Sequence, residues 1–466
     1  MTLGKPVYHF TPPANWMNDP NGLLVYEGQY HLFYQYNPQG DQWGTIHWGH
    51  AASTDLVHWQ HLPVALAPSV ELGEVHCYSG CAVIDDQGVP TLFYTSIGEG
   101  ERNAETGAEQ WMATSIDGLR TWVKSETNPV LTLDLHGEDL TVRDWRDPYV
   151  WKEGDRWLMV LGGSVQGKGC ALLYESANLR EWTFLHVLHT GEESLWECPN
   201  AFRLQDKMVL IYSPSDRVKY LVGTMGNDLR FVKEQEGFVD HGSWEGYYAP
   251  QSMLAPDGRR ILWGWLPDNA RGEMTEIRGW SGVQSIPRTV ELHPSKNTLI
   301  FKPVAELQVL RENPFELPKT ILPQGEHELG IRGKAVEITA EFELTGSEAS
   351  LGFEVFRSPD GEEQTTLKFD IAGGRVVLDR SRSSQAKGVH AWELVAPYEM
   401  QRHKHKQLRV HLFIDHSIVE VFVNEELCLT GRVYPLREDS EGIRLFVQGP
   451  SVTMKSLSAW NLRSIR

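Results

Sequence analysis

Apolar runs of strand length, each closed by a polar or glycine turn and answered by a second apolar run, recur roughly every 50 to 67 residues in the N-terminal two thirds of the chain. Five copies are visible. Asp19-Pro20-Asn21-Gly22-Leu23-Leu24-Val25 turns at Glu27-Gly28 into Tyr30 to Tyr36. Ser79-Gly80-Cys81-Ala82-Val83-Ile84 turns at Asp86-Gln87-Gly88, and Arg146-Asp147-Pro148-Tyr149-Val150-Trp151 turns at Glu153-Gly154-Asp155. Glu197-Cys198-Pro199-Asn200-Ala201-Phe202 and Ala249-Pro250-Gln251-Ser252-Met253-Leu254 complete the set. A second signature trails the copies: Ser53-x-Asp55-Leu56 before Trp59, Ser115-x-Asp117-x-Leu119 before Trp122, Ser176-x-Asn178-Leu179 before Trp182, and a weaker Asn227-Asp228-Leu229 before Phe231. It reads as a turn followed by an outer strand. Each repeat then holds about four strands, the content of a propeller blade.

The pattern predicts an all-β chain: a five-bladed β-propeller over residues 1–300, a linker with a short helix over 301–317, and a β-sandwich over 318–466. The helical stretch is Pro303 to Arg311, ending before Pro314. In the last part the blade period stops. Alternating strands are expected at Val336 to Leu344, Leu351 to Arg357, Gln364 to Asp370, Arg375 to Asp379, Leu408 to Asp415, Ser417 to Val423 and Gly442 to Val447. His403-Lys404-His405-Lys406 offers a metal or anion site on paper but reads better as a solvated turn.

Propeller geometry gives the carboxylates their meaning. First strands line a central channel, so equivalent positions converge on one axis. Asp19, Asp147 and Glu197 each stand at the start of a first strand, where the other two copies carry Ser79 and Ala249-Pro250-Gln251. Clustering three acids works against stability, because like charges repel and raise each other's pKa. A catalytic role is therefore favoured over a structural one. Neither Asp19 nor Asp147 has further Asp at calcium-loop spacing, so no metal is expected. Two carboxylates flanking a bond are the equipment of glycoside hydrolysis. Trp16, Trp43, Trp48, Tyr78 and Trp265 lie near the ends of inner strands, placed to stack on a sugar ring.

Composition narrows the class. The formal net charge is -19, which disfavours nucleic acid and anionic membranes and suits a neutral substrate. The five cysteines match no zinc spacing. The start, Met1-Thr2-Leu3-Gly4-Lys5-Pro6, shows no apolar leader core, and no stretch has the length of a membrane span. A cytoplasmic, reduced protein is expected, with secretion after removal of a leader as the alternative; a homo-oligomer stays open.

Together, Trp16-Met17-Asn18-Asp19-Pro20-Asn21-Gly22, Arg146-Asp147-Pro148 and Glu197-Cys198-Pro199 resemble the acid motifs of glycoside hydrolase family 32, the invertase, fructanase and sucrose-6-phosphate hydrolase family. Phe33-Tyr34-Gln35-Tyr36-Asn37-Pro38, Trp48-Gly49-His50-Ala51 and the sandwich stretch Asp415 to Asn424 extend the likeness over essentially the whole chain. The resemblance implies a retaining β-fructofuranosidase acting on sucrose or fructo-oligosaccharides without a cofactor. It implies Asp19 as nucleophile, Glu197 as general acid/base and Asp147 as transition-state stabiliser. Asn18, Gln35, Trp43, Ser79, Arg146 and Tyr248 match positions that shape the fructose pocket, and Cys198 the residue that flanks the acid. Fructan-releasing, transfructosylating and sucrose-6-phosphate-cleaving enzymes of the same family are the alternatives, with a catalytically inactive sugar-binding protein further off. Two departures bear on the leaving group. Tyr78-Ser79-Gly80-Cys81 stands where the family often has Phe-Ser-Gly-Ser, and Gly246-Tyr247-Tyr248-Ala249 where it often has Asp-Phe-Tyr-Ala, so Gly246 replaces an acid at the pocket rim. A preference for phosphorylated sucrose requires a basic pocket, for which His47, His50, His58 and His61 are the candidates.

Overall fold

The computed structural model describes residues 4–272, 274, 278–344, 349–398 and 407–466. The His403-Lys404-His405-Lys406 stretch lies outside the described residues. Five sheets follow one another in the first part of the chain, each an antiparallel run of four strands outward from an inner strand; the four are consecutive in the first four blades, and in the fifth two short strands intervene. The inner strands are Asn15–Tyr26, Glu74–Ile84, Val142–Glu153, Glu197–Leu204 and Tyr248–Leu254. Each touches the next, and the first touches the fifth, so the ring closes. A strap from the fifth blade seals it: Trp280–Ser281 adds to the first sheet, pairing in parallel with Asn15 and Trp16. This is the five-bladed propeller that the repeat predicts.

The trailing signature has a common backbone form. Ser53 and Asp55 Oδ1 gather the N–H groups of the turn, with Val57 N and His58 N donating to Asp55 at 3.0 and 2.8 Å. Such side-chain turns compete with the strand and end it. Leu56, Leu119, Leu179 and Leu229 all take left-handed φ, 65°, 63°, 67° and 58°. Their side chains are buried, which holds the strained backbone in place. Trp59 and Trp182 each donate an indole N–H to the carbonyl of that leucine.

The second part is a sandwich of a seven-stranded and a six-stranded sheet. All seven expected strands are present to within a residue or so. Six further ones were not legible: Arg311–Leu317, Thr320–Leu322, Gly325–Glu328, Leu394–Pro397, Leu427–Arg432 and Val452–Leu462. Most are short, edge-lying or interrupted by charge, so their alternation is weak. The expected short helix is a 3₁₀ turn, Ala305–Leu310, which buries Leu307 and Leu310. Within 301–317, Leu299–Pro303 is the outer strand of the fifth blade and Arg311–Leu317 pairs with Val452–Leu462.

One face of the seven-stranded sheet is packed on the propeller. Alternation along Ile418–Val423 sends Val419, Val421 and Val423 into the sandwich core, and Ile418 and Phe422 into the propeller core. Glu420 points the same way as these last two and is fully buried. It accepts from Arg288 Nη2 at 2.5 Å, and Arg288 Nη1 donates to Asp240 at 2.8 Å. His9 bridges Asp415 and Glu420 through its two ring nitrogens, at 2.9 and 3.0 Å. Burial opposes the charge on His9, but the two carboxylates outweigh it and raise its pKa.

Truncating one member of such a network leaves buried charges uncompensated. Arg288→Met should therefore destabilise the chain by about 3–5 kcal/mol in chemical denaturation. The triple change Arg288→Met with Asp240→Asn and Glu420→Gln should recover part of that loss. A single variant as stable as the parent would show that the network contributes nothing.

Candidate active site

Every inner strand carries, at the same place in its blade, one residue more than its neighbour can pair. Pairing steps from Met17 to Pro20 while the partner moves only from Tyr36 to Tyr34. It steps from Cys77 to Gly80 against Ser96 to Tyr94, and from Arg146 to Tyr149 against Gly162 to Val160. The fourth and fifth blades repeat this at Glu197 to Asn200 and Tyr248 to Gln251. A bulge re-aims side chains and frees them from the ladder. Asp147, Cys198 and Ala249 each precede a proline and take φ of 65°, 47° and 46°. That conformation is costly for a non-glycine residue and doubly so before proline.

Aligned on the following proline or glycine, the five bulges present two rings of side chains. One ring is Asp19, Ser79, Asp147, Cys198 and Ala249. The other, one residue earlier, is Asn18, Tyr78, Arg146, Glu197 and Tyr248. This corrects the reading of three equivalent acids at strand starts. Asp19 and Asp147 lie well inside strands that begin at Asn15 and Val142, and only Glu197 opens its strand. Glu197 also belongs to the earlier ring, because Cys198 intervenes before its proline.

These nine polar side chains, with Gln35, Trp43 and Trp265, line one cavity of about 510 Å³. All twelve residues singled out from sequence are thus together. Trp16 joins them, edge-on to Trp265 with ring centroids 5.8 Å apart. Trp48 does not. It is wholly buried and donates its indole N–H to Tyr78 O at 3.0 Å, supporting the wall from behind. Ala104, Glu105 and Asp144 also line the cavity, and no motif pointed to them.

Asp147 is buried and Asp19 half-buried. Asp19 Oδ2 accepts from Ser79 Oγ at 2.6 Å, and Oδ1 from Asn18 Nδ2 at 3.1 Å. Trp16 Nε1 fixes Asn18 by donating to its Oδ1 at 2.8 Å. Asp147 Oδ2 accepts from the Cys198 N–H at 2.9 Å, while its own N–H donates to Thr95 Oγ1. The Cys198 thiol lies 3.5 Å from both Asp19 Oδ2 and Asp147 Oδ2. Glu197 is differently served: Oε1 accepts from Arg146 Nη2 at 2.9 Å and Oε2 faces Tyr248 Oη at 2.6 Å. Tyr248 Oη is also 3.3 Å from the Ser213 carbonyl.

Burial raises the Asp19 carboxyl above the ordinary carboxylate range; Ser79 and Asn18 pull it back and Glu197 pushes it further up. Burial likewise pushes Asp147 up to about 7; Arg146 lowers it, and Glu197 and Asp19 raise it. For Arg146, burial works against the charge but Glu197 and Asp147 outweigh it, so the guanidinium is held protonated. Among the described residues no cluster of three or more His, Cys, Asp or Glu is arranged to hold a metal ion.

The Gly246 departure has a physical cause. A Cβ at 246 would sit 2.1 Å from the Thr430 carbonyl, because the short helix Ser243–Gly246 rests directly on the sandwich strand Leu427–Arg432. Glu245 does not substitute for the missing acid. It is buried against the sandwich, paired with His390 at 2.7 Å and Arg380 at 3.3 Å.

The description of the glycosyl hydrolases family 32 N-terminal domain matches residues 9–303, and that of the family 32 C-terminal domain matches residues 306–461. The chain is 33% identical to a sucrose-6-phosphate hydrolase of Zymomonas mobilis subsp. mobilis, over 98% of this chain and 92% of that one. It is 34% identical to a raffinose invertase of Escherichia coli, over 98% and 95%. A crystal structure of fructan 1-exohydrolase IIa from Cichorium intybus in complex with 1-kestose superposes with a TM-score of 0.87 at 28% identity, covering 99% of this chain and 98% of that one. With both halves matched across nearly its whole length, the chain belongs to glycosyl hydrolase family 32.

Proposed function

We propose that this glycoside hydrolase releases terminal, non-reducing β-D-fructofuranosyl units from sucrose and fructo-oligosaccharides, with retention of configuration. The observation that carries the reading is the grouping of Asp19, Asp147 and Glu197 in one cavity, with the three carboxylates in unlike surroundings. Asp19, oriented by Ser79 and Asn18, attacks the anomeric carbon. Glu197 protonates the departing oxygen and later activates water. Asp147 accepts hydroxyls of the fructosyl ring and stabilises the oxocarbenium-like transition state. Asn18, Gln35, Tyr78, Ser79, Arg146, Cys198 and Tyr248 shape the ring pocket, while Trp43 and Trp265 wall the mouth.

Tyr248 supports the acid role of Glu197. Its hydroxyl donates to the carboxylate when Glu197 is ionised. When Glu197 carries the proton, the phenol accepts from it and turns its own hydrogen to Ser213 O. Both protonation states therefore keep a full set of hydrogen bonds. The sugar partner follows the bound 1-kestose of the Cichorium structure. The five cysteines are unpaired thiols, four of them buried, which supports a reducing, cytoplasmic setting.

Glu197→Gln should slow hydrolysis of sucrose by about 10²–10⁴-fold, the usual weight of general acid catalysis. Fructosides with an activated leaving group should lose much less in the glycosylation step. Equal losses on both would remove Glu197 as the acid.

Retention is read from the product. Proton NMR during the first turnovers, before mutarotation, should show β-fructose. The α-anomer appearing first would make Asp19 a general base in an inverting enzyme.

Asp147→Asn should trade activity for stability in a pH-dependent way. The folded chain holds a proton on Asp147 up to about pH 7, against 3.8 for the ordinary group. Between those values the folded state binds more protons than the unfolded one, so stability falls as pH rises through the window. The asparagine variant should match the parent near pH 4 and exceed it above pH 7, by ~4 kcal/mol at most. Thermal melts across that range check this; a gain at pH 4 that vanishes at pH 8 contradicts the burial of the charge.

A further inference from the structure

The cavity that holds the three acids is lined by two more carboxylates, Glu105 and Asp144, and by a single cation, Arg146. Glu105 and Asp144 have no part in the chemistry above. They form a rim where the second blade's loop meets the start of the third blade's inner strand. The Asp144 N–H donates to Glu105 O at 2.8 Å, and Asp144 takes a φ of 53° to do so. Arg146 is committed: Nη1 donates to the Asp144 carbonyl at 3.1 Å and faces its Oδ1 at 3.3 Å, while Nη2 holds Glu197 at 2.9 Å. Among the described residues the cation paired with Glu105 is Arg143, which meets it on the solvent side and does not line the cavity.

The histidines that sequence offered for a phosphate are elsewhere. His50 is buried against His31, 3.0 Å away, and stacks on Phe33; burial lowers it to about 3. His61 is lowered by burial to about 4. His58 is paired with Asp55, and His47 donates to Thr45 O. None of the four lines the cavity. On the fifth-blade side, where the family often has an acid, Gly246 lies flat on Thr430 and Glu245 is turned away.

Taking the cavity as a fructosidase site, we propose that Glu105 and Asp144 are the leaving-group wall, accepting hydroxyls of a neutral sugar and selecting against a phosphorylated one. Carboxylates are acceptors only and bind hydroxyls well. A phosphate monoester carries about −1.5 to −2 charge at neutral pH. Anywhere in a space this small it lies within a Debye length of the acids, and among the described residues the one cation lining the cavity, Arg146, is already bonded to Glu197 and Asp144. The acid that the fifth blade cannot carry is thus supplied from the opposite side of the mouth.

The test compares kcat/KM for sucrose and for sucrose 6-phosphate with the purified full chain. At about pH 7.5 and low salt the phosphorylated sugar should be poorer by about tenfold or more. The gap should narrow between about 0.05 and 0.5 M salt, as screened repulsion requires. Glu105→Gln should narrow it several-fold, chiefly by lowering KM for the phosphorylated sugar, and Glu105→Asp should keep it. Equal or better turnover of sucrose 6-phosphate by the parent would overturn the proposal and direct attention to the neighbouring cavity past Trp16, where Arg271 and Arg278 form part of the wall. A ratio unmoved by Glu105→Gln would overturn it as well. Failure to turn over either sugar, or any fructo-oligosaccharide, would sink the fructosidase reading and this proposal with it.

Discussion

A one-residue bulge at the same place in each inner strand is the constraint on which the site depends. In a regular ladder, residues at the channel mouth would alternate between the two faces of their sheet and at most one per blade would face the axis. The bulge lets two consecutive residues from each of the first four blades, and Tyr248 from the fifth, reach the cavity. The five blades then deliver nine side chains to a space of about 510 Å³. Asp19 and Asp147 come from one ring and Glu197 from the other. That offset separates a pair of acids, joined through the Cys198 thiol, from a third acid held by Arg146 and Tyr248. Proline after the bulge fixes the conformation, since Pro148, Pro199 and Pro250 have no N–H to return to the ladder.

The strained mouth is held by what surrounds it. The Trp280–Ser281 strap ties the fifth blade to the first beside Trp16. The same strap leads to Gln284, which donates to the Asn18 carbonyl at 2.7 Å. A few residues further on, Arg288 enters the buried ion network with Asp240 and Glu420. A continuous path of bonds therefore runs from the Asp19 loop through the fifth blade to the sandwich. Buried ion pairs of this kind contribute little net stability against apolar packing, but they fix one register, because every misplacement leaves a charge unpaired. The register matters here: the sandwich strand Leu427–Arg432 also lies on Gly246 and so sets which groups can stand at the rim.

Much of this was legible in the sequence, for identifiable reasons. The repeat was visible because four of the five blades place like residues on the same turn, Asp55-Leu56 and Asn178-Leu179 among them. Nine of the pocket residues were visible because each lies in or beside a motif at a bulge, whereas Gln35, Trp43 and Trp265 lie on other strands and loops. The one-residue offset of Glu197 was not, because register is a property of strand pairing and not of one strand. Glu105 and Asp144 escaped for a related reason: a loop of the second blade is brought over the third by backbone contacts that leave no periodic trace. The buried network was hidden too. His9, Asp240, Arg288, Asp415 and Glu420 look like ordinary surface charges until 400 residues of separation between His9 and Asp415 are folded away. The weakest sandwich strands were unreadable because polar residues on their open faces dilute the alternation.

The arrangement also explains why the acids are not simply destabilising. Asp147, with its pKa raised to about 7 by burial, need not carry a full charge at neutral pH, which eases the repulsion among the acids. Arg146 adds a fixed positive charge that bonds Glu197 and Asp144 and also acts on Asp147. The field in the cavity is uneven: proton-retaining at Asp147, compensated at Glu197, with the further carboxylates Glu105 and Asp144 at the rim. On the proposed mechanism an oxocarbenium-like charge developing on the fructosyl ring would meet the first region, and a departing sugar oxygen would meet a proton donor at the second. The leaving sugar would meet the third. Order along the cavity, set by bulges below and by a loop above, separates the three tasks that a single cluster of acids would otherwise confuse.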